Sequence, residues 1–188
     1  MNEPALVLID VQKGFDDSTW GKRNNPDAEK NIALLLAEWR RYLLPVVHVQ
    51  HCSTEVNAPL HPDQPGHQFK AEAKPLDGEK IFTKTVNSAF IGTRLEDYLR
   101  ACDIQSLVIV GLTTDHCVST SVRMAGNLGF KVKLVSDATA TFDRIGHDGS
   151  HYSASDIHAI HLASLNGEFC IVQSTSEIIS QSCARAIL

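Results

Sequence analysis

Residues 105–137 read QSLVIVGLTTDHCVSTSVRMAGNLGFKVKLVSD, and this stretch decides the fold. QSLVIVG at 105–111 and FKVKLVSD at 130–137 are short apolar runs of strand length. Between them, HCVSTSVRMAGNLG at 116–129 reads as a helix ending on a glycine suited to a C-cap. A strand, a helical crossover and a second strand make the repeating unit of a parallel sheet.

The same alternation extends in both directions. ALVLIDVQ at 5–12, LPVVHVQ at 44–50, EKIFTK at 79–84 and EFCIVQS at 168–174 are further strand-length runs. Helices are predicted over 25–44, where Ile32, Leu35, Leu36 and Trp39 form one stripe behind Asn25 and Pro26, over 91–103, with Leu95, Tyr98, Leu99 and Cys102 at helical spacing, and over 153–167. Near-continuous apolar strands joined by helices need cover on both faces of the sheet. The predicted fold is therefore α/β: an open three-layer α/β/α, Rossmann-like arrangement with a roughly six-stranded, mainly parallel sheet, in one domain over residues 1–188. The long irregular stretch 51–78 reads as a lid or a subunit-contact arm.

With 188 residues, 43% of them apolar, the chain is large enough to bury a full core. A formal charge of −5 provides no basic stripe for a phosphate backbone, so no nucleic-acid partner is expected. No apolar run reaches bilayer length, and MNEPALVLID is too short and too acidic for a signal peptide, so no membrane partner and a cytoplasmic location are expected. The five cysteines, Cys52, Cys102, Cys117, Cys170 and Cys183, form no CxxC pair and are read as free thiols, one of them reactive.

In open α/β sheets, ligands bind beyond the carboxyl ends of the strands, near the point where strand order reverses. Three reactive residues fall at such ends: Asp10 after ALVLI, Lys84 closing KIFT, and Cys117 after VIVGLTTDH. Alone, the Asp reads as a loop cap, the Lys as a solvated charge and the Cys as a small core residue; together they make a catalytic set. A helix N-terminus and a nearby ammonium lower a thiol's pKa, which predicts a reactive Cys117. Asp10 would shuttle the proton and Lys84 would hold the charge, giving acyl transfer through a thioester.

LIDVQKGF with Asp10, FTKTVNSAF with Lys84 and VIVGLTTDHCV with Cys117 resemble the isochorismatase-like cysteine hydrolases, relatives of nicotinamidase and N-carbamoylsarcosine amidohydrolase. The resemblance covers about residues 4–175. It implies the triad Asp10, Lys84 and Cys117, a non-proline cis peptide at Leu112–Thr113, and an oxyanion hole at the backbone N–H groups of Thr113 and Cys117. It also implies a homo-oligomer, dimer or tetramer. Isochorismatases proper, which cleave a vinyl ether, do not rely on a cysteine at this position, so Cys117 points to hydrolysis of a small amide, carbamoyl or ureido compound. Nicotinamidases carry a metal-binding Asp and histidines after the second strand. Here that stretch reads HVQHCSTEV, with His48 and His51 but no Asp-x-His, so no metal and no cofactor are expected. His61 and His67 read as solvated loop residues.

For a small-molecule substrate, Phe15 and Trp20 are candidate pocket walls, and Arg23, Asn24 and Asn25 candidate donors, with Asn25 equally suited to a helix cap. Asn87 and Phe90 follow Lys84 closely enough to line the site. Thr114 and Asp115 are assigned to the turn and the helix cap. His116, adjacent to the nucleophile, reads as a surface or subunit-contact residue. His158 and His161, with His147 and His151 nearby, read as helix-surface residues. Three other readings remain open: an isochorismatase-type vinyl ether hydrolase, a nucleotide-binding α/β module, which lacks the glycine spacings that cradle phosphate, and a thiol-redox protein, which lacks a resolving cysteine at short spacing.

Overall fold

A computed structural model describes residues 3–185, with side chains as far as residue 181. The free-thiol expectation for Cys183 lies outside the described side chains, and the reading of the first two residues lies outside the described residues. Among the described residues, eight strands occur: β1 (Ala5–Ile9), β2 (Val46–His51), β3 (Lys80–Lys84), β4 (Ser106–Leu112), β5 (Lys131–Ala140), β6 (Arg144–Ile145), β7 (His151–Tyr152) and β8 (Ile171–Gln173). Six of them form one parallel sheet in the order β3-β2-β1-β4-β5-β8, and β6 with β7 forms a separate antiparallel hairpin. The helices are α1 (Ala28–Arg41), α2 (Leu95–Ala101), α3 (Ser119–Asn127), α4 (Ala154–Leu165) and α5 (Thr175–Arg185).

Both faces of the sheet are covered. Leu6, Leu8, Val108 and Val110 pack on one side with Ile32, Leu35, Leu36 and Trp39 of α1 and Ile178 of α5. Val7, Ile9, Val47, Val49 and Ile109 pack on the other with Leu95 and Leu99 of α2, Val122 and Ala125 of α3, and Leu165 of α4. Successive residues of β1 point to opposite faces and every one is buried, which is why the run reads as continuously apolar rather than alternating. Each such Leu, Ile or Val contributes about 1.5–3 kcal/mol through burial.

From β1 the chain builds outward through β2 and β3, then returns to place β4 on the other side of β1, followed by β5 and β8. The β1/β4 boundary is therefore the switch point, and the crevice beyond its carboxyl ends is the expected binding position. The six-stranded parallel α/β fold is the one expected from the sequence. Strand β1 ends at Ile9 because Asp10 adopts φ 51°, outside any strand conformation.

Two elements escaped the sequence reading. The β6/β7 hairpin has two residues per strand, too short for any periodicity. Helix α5 does carry a signal: Ser174 Oγ accepts from Glu177 N, and Glu177 Oε2 accepts from Ser174 N, the reciprocal bonds of a capping box. The stretch 51–78 packs down as a strap. It contains short 3-10 turns at Pro65–His67 and Ala71–Ala73, buries Leu60, Lys70 and Ala73, and bridges back to Gln12 through Phe69.

Candidate active site

Asp10 follows β1, Lys84 ends β3, and Cys117 follows β4, so the three meet at the switch point. All are buried. Lys84 reaches across β2, and its Nζ lies 2.6 Å from Asp10 Oδ2 and 3.3 Å from Cys117 Sγ. Its third neighbour is His51 Nδ1, at 3.1 Å. Lys84 and His51 are register partners on adjacent strands, and this places the imidazole beside the ammonium.

The backbone before the cysteine is closely fitted. Gly111 has φ 125°, and a Cβ there would lie 2.0 Å from the Ile9 carbonyl oxygen, so only glycine lets β4 approach β1 at this point. The Leu112–Thr113 peptide is cis. Residues Thr114–Val118 then form a π-helical turn, with the Thr113 carbonyl accepting from both His116 N and Val118 N. Such turns recur at functional sites. This one is fastened from behind: Thr114 Oγ1 lies 2.9 Å from His158 Nδ1, and Asp115 accepts from Thr141 Oγ1 at 2.5 Å and Arg144 Nε at 2.7 Å.

The electrostatics correct one expectation. Burial, then the negative charge of Asp10, push the Cys117 thiol up to about 12 despite the opposing pull of Lys84. The thiol is protonated at rest rather than preformed as a thiolate. Burial also raises the pKa of Asp10, with Lys84 opposing. Asp10 Oδ1 is buried without a hydrogen-bond partner, an acceptor left open near the thiol. Asn87 Oδ1 lies 3.7 Å from Cys117 Sγ on the exposed side, close enough to contact a bound molecule.

The other expected residues divide. Phe15 and Trp20 cluster with Phe142, at ring-centroid distances of 5.1 Å (Phe15–Trp20) and 5.6 Å (Trp20–Phe142), beside Leu112. Arg23 is engaged by Glu29 at 2.5 Å. Asn24 Oδ1 accepts from Thr141 N, and Asn25 Nδ2 donates to the Ser136 and Thr139 carbonyls. These three polar groups therefore fasten loops instead of standing free for a substrate carboxylate. Phe90 turns into the core and stacks on Phe130. Asp115 does not cap the helix; it pairs with Arg144 and Thr141, and its pKa falls to about 2.

Two histidine expectations are also corrected. His158 is buried against Thr114 instead of lying on the helix surface, because α4 packs directly behind the cysteine turn. His67 is half-buried, with Nε2 3.3 Å from Cys52 Sγ, because the strap folds back onto β2. His116 is largely exposed, as expected. His51 is named in the sequence only as a metal candidate; its place beside Lys84 depends on strand register, which one sequence does not display.

Donor atoms for a metal do not assemble as nicotinamidase-like histidines would require. His48 is bound to Glu79, and His61 accepts from Asp63 N. Among the described residues, the one group of three candidate ligands within 4.8 Å of one another is Asp10, His51 and Cys117. Lys84 Nζ is bonded to all three, so a cation already fills that centre, and a metal ion would be repelled from it.

The structure is thus a six-stranded parallel α/β sheet with an acid, a lysine and a cysteine brought together at its switch point. The chain belongs to the isochorismatase family, whose isochorismatase domain matches residues 4–176. It is 48% identical over 176 residues to the isochorismatase family protein YrdC of Bacillus subtilis, covering 94% of each chain. It is 33% identical over 160 residues to Nicotinamidase 3 of Arabidopsis thaliana, covering 78% of this chain and 77% of that one. A crystal structure of an isochorismatase-family hydrolase from Chromobacterium violaceum superimposes with TM-score 0.95 at 46% identity, covering 98% of this chain and 95% of that one.

Proposed function

We propose that this hydrolase is cysteine-dependent and cleaves the C–N bond of a small amide, carbamoyl or ureido compound. The observation that carries the reading is the buried lysine ammonium bonded at once to a carboxylate and a thiol. Cys117 Sγ attacks the carbonyl carbon as its proton passes to Asp10. Because the thiol sits near 12, proton transfer has to accompany C–S bond formation. The oxyanion is received by the backbone N–H groups of Thr113 and Cys117, and Lys84 balances the charge on Asp10. Asp10 then protonates the leaving nitrogen, which departs as ammonia or an amine and leaves a thioester. Water attacks the thioester, gives a proton to Asp10, and releases the acid as the thiol is restored.

Asn87 contacts the substrate in this scheme, and Phe15 and Trp20 supply apolar support behind it. The nicotinamidase relative supports C–N cleavage as the reaction. The four described cysteines are free thiols, in keeping with the reducing cytoplasm we assign. Homo-oligomeric assembly is part of the same reading, and light scattering checks it. Among the described residues, no helix is long and apolar enough to cross a membrane.

The test is ammonia release from a panel of small amides, carbamoyl and ureido compounds that includes nicotinamide, with the Cys117→Ala variant alongside. Release by the wild type alone is expected. Equal release by both proteins would remove Cys117 from the mechanism.

A further inference from the structure

We infer that His51 is a substrate-contacting donor, held in one tautomer by Lys84 so that Nδ1 accepts from the ammonium and Nε2–H faces an acceptor on the bound substrate. The inference rests on the reading of Cys117 as the nucleophile, because that reading places the substrate.

The chemistry of the pair fixes the proton. A lysine ammonium has three donors and no acceptor, so the 3.1 Å contact between Lys84 Nζ and His51 Nδ1 requires a bare lone pair on Nδ1. The single proton of a neutral imidazole then resides on Nε2. Charge around the ring keeps it neutral. Burial opposes a positive imidazole most, and the charges of Lys84 and then His67 add to it, bringing the pKa to about 4. Asp10, which also lies close, is already paired with Lys84.

The backbone that carries the ring is also held in place. Gln12, fully buried, grips the backbone of His51 on both sides: its Oε1 accepts from His51 N at 2.8 Å, and its Nε2 donates to His51 O at 3.0 Å. The same Nε2 donates to His67 O at 2.9 Å, tying the strap to this point. No part of the proposed proton shuttle needs such a clamp, whereas a positioned donor does.

The ring sits where a substrate would lie. One of its nitrogens is within 4.8 Å of both Cys117 Sγ and an Asp10 oxygen. The residue is only half-buried, and the ring engages Lys84 through Nδ1, which leaves Nε2 for another partner. A molecule joined to Cys117 would meet this N–H next to the scissile carbonyl. Substrates with a hydrogen-bond acceptor beside that carbonyl, such as a second carbonyl, a carboxylate oxygen or a bare ring nitrogen, would be selected over those offering only a donor or a methyl group.

Two variants and one spectrum test this. His51→Gln keeps an acceptor for Lys84 and a donor for the substrate; His51→Phe keeps a ring of similar size with neither. For the best panel substrate, we expect His51→Phe to lose about tenfold to hundredfold in kcat/KM, and His51→Gln to recover most of it. In Cys117→Ala, which binds without turnover, His51→Phe should weaken binding of that substrate by a similar factor. In long-range 1H–15N spectra of histidine-labelled protein near neutral pH, the His51 signal, assigned by its loss in His51→Gln, should report the proton on Nε2. That signal should shift when the substrate is added to Cys117→Ala.

A wild-type kcat/KM in a folded His51→Phe, or a proton on Nδ1, would overturn the inference. If nothing on the panel is hydrolysed, or Cys117→Ala turns over like wild type, the nucleophile reading fails instead. The spectrum still decides the tautomer independently.

Discussion

Cys117 is buried deeply enough that its reactivity has to be generated during the reaction. Asp10 raises the thiol's pKa and Lys84 lowers it, so replacing Asp10 with Asn removes one side of the balance. We expect Asp10→Asn to make the resting thiol more acidic and to speed its alkylation by iodoacetamide at pH 8, while abolishing hydrolysis because the proton acceptor is gone. Alkylation no faster than wild type would count against this account of the pair. Asp10, Lys84 and Cys117 were legible in the sequence because each is a reactive residue at the end of an apolar run. The direction of the thiol's shift was not, since a pKa depends on depth of burial and on which charge lies nearer. Arg23 was misleading for a related reason: a guanidinium in a loop looks available until Glu29 is found 2.5 Å away.

At the scale of elements, the cysteine turn depends on what lies in front of it and behind it. Gly111→Ala would put a Cβ 2.0 Å from the Ile9 carbonyl oxygen at φ 125°, and no side-chain rotation relieves a clash with backbone. We expect this variant to be destabilised by more than about 3 kcal/mol, or to fail to fold, and chemical denaturation reads the difference. His158→Ala should be milder, costing about 1–3 kcal/mol by leaving buried Thr114 Oγ1 without its partner. It should also lower kcat more than it raises KM, because the turn that carries Cys117 loses its anchor; an unchanged kcat would show the anchor to be dispensable. The strand–helix–strand unit at 105–137 was readable from periodicity alone. The anchor was not, because His158 and Thr114 are 44 positions apart and meet only once α4 has packed.

The whole molecule is tied together by charge as well as by its core. Glu29 on α1 binds both Arg23, from the loop after β1, and Lys70, from the strap, and Lys70 also reaches Asp16. In the folded chain the Glu29 carboxyl is held at about 2, against an ordinary value of 4.5. A depressed carboxyl contributes stability that is fully present above 4.5 and is lost as pH falls toward 2. We therefore expect Glu29→Gln to be less stable than wild type at pH 7, by about 1–3 kcal/mol, with the gap closing as pH falls from about 5 to about 2. Urea midpoints across that range check it; a constant gap would mean the contribution is packing rather than charge. The six-stranded parallel sheet follows from how apolar runs and helices alternate along the chain, but the network could not be read in advance, since Lys70 joins it from 41 positions beyond Glu29 and 54 beyond Asp16. The reaction itself is tested most directly by quenching turnover of the best panel substrate in acid and weighing the Cys117 peptide. We expect a mass increment equal to the acyl group on Cys117 in the wild type and no turnover in Cys117→Ala. An unmodified Cys117 peptide, together with undiminished ammonia release by Cys117→Ala, would contradict a thioester mechanism.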